Sequence, residues 1–345
     1  MNQCPLPLAG GPRVVMGHGG GGRLASELLE SVFLPALDNP YLRLLTDAAV
    51  LPRPESGRLA FCTDASVVSP LFFPGGSIGS LAVHGTLNDL AMMGARPLYL
   101  SCAFILEEGL ELEVLRRVVA ELAEAARSCQ VMVVCGDTKV VERGHGDGLF
   151  IATSGLGVIP EGLDLDPRRV QVGDRILLSG PIGAHGVALL SQRQGLQFDT
   201  AVLSDSAPLY GLAQALLQAC PEVRVLRDPT RGGVAAVLHE LARSAGLAME
   251  IEEAAIPLEE AVASACELLG LDPLHVANEG RMLALVPEAS VASALAALQG
   301  HPQGREACVL GRAVAEPAGR VLLRTRLGAL RRVERPLHEP LPRIC

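Results

Sequence analysis

Three aspartates lie where an apolar segment gives way to polar residues. Asp64 ends the strand-like run RLAFCTD, Asp89 lies in the helix-like NDLAMMG, and Asp137 follows the strand-like VMVVCG. Carboxylates of this kind suit hard cations, and Mg²⁺ is usually held by one or two of them together with waters and phosphates. Each aspartate alone is better explained as a turn or helix cap. Together, with Lys139 two residues beyond Asp137, they predict an ATP and Mg²⁺ site.

A glycine run, GHGGGGR at 17–23, precedes a helix-like segment. Glycines let a backbone approach a ligand closely, and amides at a helix N-terminus favour an anion. The run lacks the GxxxxGK[ST] spacing, which excludes a P-loop. A mobile glycine linker is an equally good explanation of the run alone.

Two further polar segments follow in the second half of the chain. DPTRGG at 228–233 places Asp228 and Arg231 before glycines that open a helix, which is a second possible anion site. NEG at 278–280 places Glu279 just before the strand-like RMLALV. A buried Glu279 could act as a general base, but from these residues alone a turn residue is the better explanation.

The chain ends in a cysteine, Cys345, behind a segment punctuated by Pro336, Pro340 and Pro342. The nine cysteines show no CxxC or zinc-ribbon spacing, so the sequence suggests neither disulfides nor structural zinc. Four histidines, His18, His84, His185 and His239, fall in separate segments without metal-ligand spacing.

The apolar periodicity predicts an α/β (α+β) protein of two domains. We expect a glycine-rich segment and helix at 1–39, an N-terminal domain at 40–160, a C-terminal α/β domain at 170–330 and a flexible tail at 331–345. Ser77 is expected to cap a helix that stops at Gly94.

The composition excludes several functions. A net charge of -9, with seven Phe, three Tyr and no Trp, argues against nucleic-acid binding. No apolar run approaches the roughly 18 residues of a membrane span, and the N-terminus lacks a secretory signal pattern. We therefore expect a cytoplasmic protein that has no membrane partner.

These motifs in this order, from GHGGGG through FCTDASVVSP, CGDTKVVERG, DPTRGG and ANEG to PRIC, closely resemble the HypE family of hydrogenase maturation factors. The resemblance covers nearly the whole chain. It implies a two-domain fold like that of aminoimidazole ribonucleotide synthetase, with a mixed N-terminal sheet that forms a barrel in a homodimer. Implied cofactors are ATP and Mg²⁺, with Asp64, Asp89 and Asp137 on the metal. Implied ATP-binding residues are Gly19, Gly20, Gly21, Gly22, Asp64, Asn88, Asp89, Gly136, Asp137, Thr138, Asp228 and Arg231.

The resemblance also implies a reaction at Cys345. The carbamoyltransferase HypF would carbamoylate this thiol, and ATP-dependent dehydration would convert the product to a thiocyanate. Its cyanide would pass to iron on a HypC–HypD complex, for [NiFe] hydrogenase. Glu279 and Lys139 would contact the carbamoyl group, with Glu279 as the base, although the two roles could be reversed.

Two other functions remain open at this point. A non-catalytic ATP-binding scaffold would also carry the aspartates, and selenophosphate synthetase or thiamine monophosphate kinase would share the fold. Neither of these enzymes explains a terminal PRIC. The chain has Ala65 where many members of the resembled family have Ser after Asp64, which could change a hydrogen bond near the metal.

Overall fold

The computed structural model describes residues 11–195, 202–335 and 343–345. Strands and helices alternate through two successive domains, as their periodicity predicts. The helices are α1 (Arg23–Leu28), α2 (Leu34–Leu37), α3 (Ile78–Met92), α4 (Leu112–Ser128), α5 (Ala184–Gln194), α6 (Tyr210–Ala219), α7 (Gly233–Ala245), α8 (Glu260–Leu269) and α9 (Val291–Gln299). The strands are β1 (Arg58–Ser66), β2 (Phe72–Phe73), β3 (Gly76–Ser77), β4 (Arg96–Glu107), β5 (Met132–Val141), β6 (Leu149–Ile159), β7 (Arg175–Leu178), β8 (Val225–Arg227), β9 (Ala248–Glu252), β10 (Leu283–Val286), β11 (Cys308–Val314), β12 (Val321–Arg324) and β13 (Leu330–Arg332).

The N-terminal domain is a four-stranded mixed sheet of order β1-β6-β4-β5, with α3 and α4 on one face. Only β4 and β5 are parallel. The Ser77 hydroxyl accepts from the amide of Ser80, so the predicted cap of α3 is confirmed, and Gly94 follows the helix with φ +68°. α3 therefore lies fixed across the sheet, and it carries Asn88 and Asp89 toward the C-terminal domain.

Much of the other face of this sheet is exposed. Phe61 is 72% exposed and Leu59 is 61% exposed, and Ile105 and Met132 are also exposed. Exposed large apolar side chains that are grouped on one sheet face are typical of an interaction surface.

The C-terminal domain is a seven-stranded mixed sheet of order β13-β12-β9-β11-β7-β10-β8, and apolar clusters pack on it. α6 and α9 pack together beside α3, which joins this domain to the first.

The structure corrects two sequence expectations on element boundaries. β1 and β5 run past Asp64 and Asp137, so both aspartates lie inside strands and not at strand ends. The chain also stays ordered beyond Arg331, because β13 pairs with β12 and Val333 is buried. Of the expected flexible tail at 331–345, residues 336–342 lie outside the described residues.

Across residues 11–195, 202–335 and 343–345, no helix combines the length and the apolarity that a bilayer crossing requires.

Candidate functional site

Four acidic side chains from both domains meet beside the end of the chain. Asp64 comes from β1, Asp89 from α3, Asp228 from the loop after β8, and Glu279 from the loop before β10. The charges of Asp64 and Asp228 act on Asp89 and on Glu279, which places the four groups in one electrostatic cluster. We call these four residues, with Arg231 and Cys345, the carboxylate site.

Loss of hydration on burial and repulsion between carboxylates cause the pKa shifts in the carboxylate site. Burial, together with the charges of the neighbouring Asp228 and Asp64 carboxylates, raises the pKa of Asp89 to about 7. Burial also raises the pKa of Asp228. Arg227 and Arg231 offset only part of this effect. An excess of crowded carboxylate oxygens fits a hard divalent cation such as Mg²⁺.

Glu279 is only 3% exposed, and its Oε1 has no hydrogen-bond partner among the described residues. Burial raises its pKa well above the usual range, with added effects of Asp228 and Asp205. Its backbone is held firmly, since the Asp205 carboxylate accepts from the amides of Glu279 and Gly280, at 3.2 Å each. A Cβ at Gly280 would lie 1.8 Å from the Asp205 carbonyl oxygen, so only glycine fits there.

Cys345 lies inside the carboxylate site. Arg231 Nη1 is 3.5 Å from Cys345 Sγ, and the charges of Glu279 and Asp64 act on the thiol. Burial raises the pKa of Cys345 to about 12, so the docked thiol is protonated at neutral pH. Arg231, predicted to bind the nucleotide, instead contacts the sulfur in this structure.

The last three residues dock as a short antiparallel extension beyond β1. The amide of Val67 donates to the carbonyl oxygen of Cys345 at 3.1 Å, and the amide of Ser69 donates to Arg343 at 3.4 Å. Ile344 is 2% exposed and packs in the core between the domains. Arg193 binds the Arg343 carbonyl, and Arg343 forms an ion pair with Asp147. We call residues 343–345 the docked tripeptide.

A second cavity, of about 350 Å³, lies between the N-terminal glycine run and β5. We call it the glycine pocket. Its apolar part includes Phe33, Leu37 and Leu42, and its polar part includes His18, Gly19, Gly21, Asp137, Thr138 and Lys139. A Cβ at Gly19 would lie 2.5 Å from the Val140 amide nitrogen, so glycine there permits the close approach to β5. Gly20 and Gly22 do not line the cavity, and Gly22 directly precedes α1.

The three aspartates predicted to bind one metal ion do not converge within this chain. Strand register aligns Asp64 with Thr153, Thr153 with Cys102, and Cys102 with Gly136. Since side chains alternate along a strand, Asp64 shares a sheet face with Gly136, and Asp137 and Lys139 project from the opposite face.

Consistent with this arrangement, no three His, Cys, Asp or Glu side chains in the described part of the chain are placed to hold a metal ion. Lys139 Nζ instead lies 2.8 Å from Asp137 Oδ1, and its hydrogen bond lowers the pKa of Asp137. The resemblance implies that Lys139 and Glu279 contact the same carbamoyl group. Within this chain Lys139 lies on β5, and Glu279 lies in the loop before β10.

Two other predicted cofactor residues have structural tasks. Asn88 is 1% exposed, and its amide group binds the backbone of Ala207, Leu209 and Glu279. It therefore ties α3 to the second domain. A Cβ at Gly136 would lie 2.4 Å from the Cys102 carbonyl, so this glycine permits close pairing of β4 with β5.

The segment 204–209 organises the carboxylate site, but the sequence analysis missed it. Ser204 binds His185, Asp205 holds the backbone of Glu279, and Ser206 binds His84. No motif marks this segment. The only signal was a short polar run, SDS at 204–206, three residues before α6.

Comparison with known proteins agrees with this architecture. Residues 45–159 match the family model "AIR synthase related protein, N-terminal domain", and residues 171–324 match the corresponding C-terminal domain model.

Named relatives narrow the family further. The chain is 52% identical to carbamoyl dehydratase HypE of Cupriavidus necator over 343 residues, which cover 99% of this chain and 97% of the relative. It is similar to a solved HypE in complex with ATP, with a TM-score of 0.92 and 46% identity, covering 96% of this chain and 99% of that one. It is also similar to HypE in a solved HypE–HypF complex, with a TM-score of 0.79 and 46% identity, covering 90% and 99%. The chain belongs to the carbamoyl dehydratase HypE family.

Proposed function

We propose that this protein is an ATP-dependent carbamoyl dehydratase acting on its own C-terminal residue. The S-carbamoyl group on Cys345 loses water to become an S-cyano group, and ATP becomes ADP and phosphate. The observation that carries the proposal is the docked Cys345 sulfur, 3.5 Å from Arg231 and under the charge of the buried Glu279. The cyano group is then the source of the cyanide ligand of the iron in [NiFe] hydrogenase.

The reaction needs a better leaving group than oxide and a base for two N–H protons. The carbamoyl oxygen attacks the γ-phosphorus of ATP and displaces ADP as the nitrogen loses its first proton. The C–O bond then breaks, phosphate departs, and loss of the second proton leaves S–C≡N. Catalysis of the phosphoryl step comes mainly from positioning and charge neutralisation.

Glu279 is our candidate for the base. Its unpartnered Oε1 is free to accept a proton, and its raised pKa brings it closer to the pH at which it works. Arg231 stays beside the sulfur, where it offsets negative charge as the carbamoyl oxygen takes up the phosphoryl group.

We propose that Mg²⁺ binds to Asp64 and Asp89 with the phosphates of ATP. The charge of Asp64 helps to raise the pKa of the buried Asp89, which a bound cation would offset, and Mg²⁺ needs only one or two protein carboxylates. When bound, the ion neutralises phosphate charge. The glycine pocket, with its apolar part beside Phe33 and its polar part at Gly19 and Thr138, suits a nucleotide.

We further propose a homodimer in which the exposed face of the N-terminal sheet is the interface. Phe61 and Leu59 supply its apolar surface, and Asp137 and Lys139 project from the same face. The carboxylate site lies on the opposite sheet face but beside the edge strand β1, so we place Asp137 and Lys139 of the partner subunit at this edge, where they complete a site that lacks both within one chain. This arrangement restores the predicted set of three aspartates across two subunits.

The macromolecular partners follow from the chemistry. HypF, present in the solved complex of a relative, is the proposed carbamoyl donor. A HypC–HypD complex that carries the iron is the proposed acceptor of the cyanide. Both reactions need the Cys345 thiol outside the site, so the docked tripeptide must leave and return. We place this cycle in the cytoplasm.

Intact-mass spectrometry of the full chain with HypF, carbamoyl phosphate and ATP tests the function. We expect an adduct of about 43 Da, the mass of HNCO, that converts to about 25 Da as water is lost. Cys345→Ser is the matched control and should gain neither mass. A non-catalytic scaffold would leave the wild-type mass unchanged, and that result would overturn the proposal.

A further inference from the structure

His185 is the one histidine that contacts the docked tripeptide among the described residues, and the mechanism above does not use it. It lies on α5 and is 0% exposed. Its Nε2 is 2.8 Å from the Ile344 carbonyl oxygen, and its Nδ1 is 2.7 Å from Ser204 Oγ. Its ring stands edge-on to Phe73, with centroids 5.5 Å apart.

These partners define the positions of the protons. A carbonyl oxygen can only accept, so Nε2 carries the hydrogen and donates it to Ile344. In the neutral ring Nδ1 then accepts from the Ser204 hydroxyl, whose oxygen accepts from the Ser206 amide at 3.1 Å. Each polar group in this series of hydrogen bonds has a partner. Burial lowers the pKa of His185 and so favours the neutral ring.

The same segment also holds the candidate base. Ser204 precedes Asp205, whose carboxylate accepts from the amides of Glu279 and Gly280. The amide of Ser204 donates to the Pro74 carbonyl at 2.8 Å, which anchors the segment to the N-terminal domain. One short loop thus contacts both the residue that fixes Ile344 and the residue that fixes Glu279.

We infer that His185 is a positioning residue that latches the docked tripeptide and, through Ser204 and Asp205, ties the docking of Cys345 to the placement of Glu279. The catalytic consequence of this latch rests on the proposed function. The docking itself does not, and it can be measured on the unmodified protein.

The first experiment measures how often Cys345 leaves the site. The full chain is treated with iodoacetamide, and mass spectrometry follows the C-terminal peptide released by cleavage after Glu334. His185→Phe keeps a ring against Phe73 but loses both hydrogen bonds. Only the bond to Ile344 holds the tripeptide directly, so alkylation of Cys345 should be about tenfold faster, as expected for one lost hydrogen bond.

His239→Phe is the matched control. His239 Nε2 lies 3.0 Å from the Val333 carbonyl, so it also binds the backbone of the C-terminal segment, but at its root. We expect wild-type alkylation of Cys345 in this variant. Equal alkylation rates in His185→Phe and wild type would overturn the latch, and so would equal acceleration in both variants. Ser204→Ala, expected to give about threefold acceleration, provides a second reading if His185→Phe does not fold.

The second experiment separates a latch from a general loss of structure. Because the docked thiol is buried, weakening the latch should speed carbamoylation by HypF and slow the ATP-dependent dehydration that follows. A merely destabilised protein would lose both activities, and that outcome would contradict the inference. If wild type shows no dehydration, the proposed function fails, whereas the alkylation rates still decide whether His185 holds the tripeptide.

Discussion

The carboxylate site and the glycine pocket share one sheet but differ in almost every physical property. The carboxylate site lies between the domains, and burial raises the pKa values of Asp89, Asp228 and Glu279. In the glycine pocket Asp137 is exposed, paired with Lys139, and has a lowered pKa. A buried site rich in carboxylates suits the removal of protons and the binding of a divalent cation. An open site with backbone amides and a lysine suits a charged nucleotide.

Their separation within one chain has a geometric cause. Asp64 and Gly136 lie level across the sheet, so Asp137, one residue later, points to the other face. A single chain therefore cannot place Asp137 beside Asp64 without breaking the strand. The two regions can work on one substrate only if a second subunit brings them together, which the proposed homodimer does.

The largest expected effect comes from disabling the carboxylate site alone. Glu279→Gln keeps the size of the side chain and removes the base, so dehydration of carbamoylated protein should fall about 10³-fold. ATP affinity should stay at the wild-type value, because the glycine pocket is untouched. Phosphate release from ATP and equilibrium nucleotide binding measure the two quantities. Normal phosphate release by Glu279→Gln would show that another group, such as Lys139, is the base.

Mixed dimers test whether the two regions belong to different subunits. Lys139→Ala and Cys345→Ser should each be inactive alone, since one lacks a lysine in the site and the other lacks the substrate thiol. After mixing and exchange of subunits, half of the dimers are mixed and each has one complete site, so about a quarter of the wild-type activity should return. If Lys139 acts within its own chain, the mixture stays inactive. Lys139→Ala mixed with wild type calibrates the exchange.

A smaller effect is expected on the docking of Cys345 as pH rises. The docked thiol has a pKa of about 12 against an ordinary 9.0, so the thiolate prefers the undocked state. Docking is fully favoured below pH 9 and should weaken roughly tenfold per pH unit above it.

Trypsin cleavage after Arg343, measured between pH 8 and 10 against a free peptide of the same sequence, reports this release. Cys345→Ser is the control, because a hydroxyl does not ionise in this range. The same pH dependence in both proteins would mean that another group controls docking.

The sequence predicted the elements better than the site. Periodicity predicted α3 with its Ser77 cap, because that pattern is local. Periodicity also predicted that β5 ends before Asp137. The strand instead continues, and because side chains alternate along it, Asp137 projects from the face opposite to that of Gly136. Sequence alone therefore grouped three aspartates that the fold places on two faces.

Other site features depend on contacts between distant segments. The family resemblance implied that Asn88 binds ATP, but its amide is engaged by the backbone of residues 207, 209 and 279. His185 was discounted for lack of metal-ligand spacing. Its partners are 19 and 159 residues away in the chain, and no local pattern encodes such distances.

The smallest expected effect concerns Ala65, which replaces the serine of many relatives. The hydrogen bond at this point comes from the Ala65 amide, which donates to Asp64 Oδ1 at 2.8 Å and needs no side chain. Ala65 pairs with Ala152, and its side chain projects from the sheet face opposite to Asp64, so an added hydroxyl would not reach that carboxylate within the chain.

Ala65→Ser should therefore change the dehydration rate by less than about twofold and the free energy of unfolding by about 0.5 kcal/mol or less. Rates at saturating and limiting Mg²⁺ provide the measurement. An altered Mg²⁺ requirement would mean that residue 65 contacts the metal site of the partner subunit. The dimer interface would then lie closer to the carboxylate site than the sheet geometry requires.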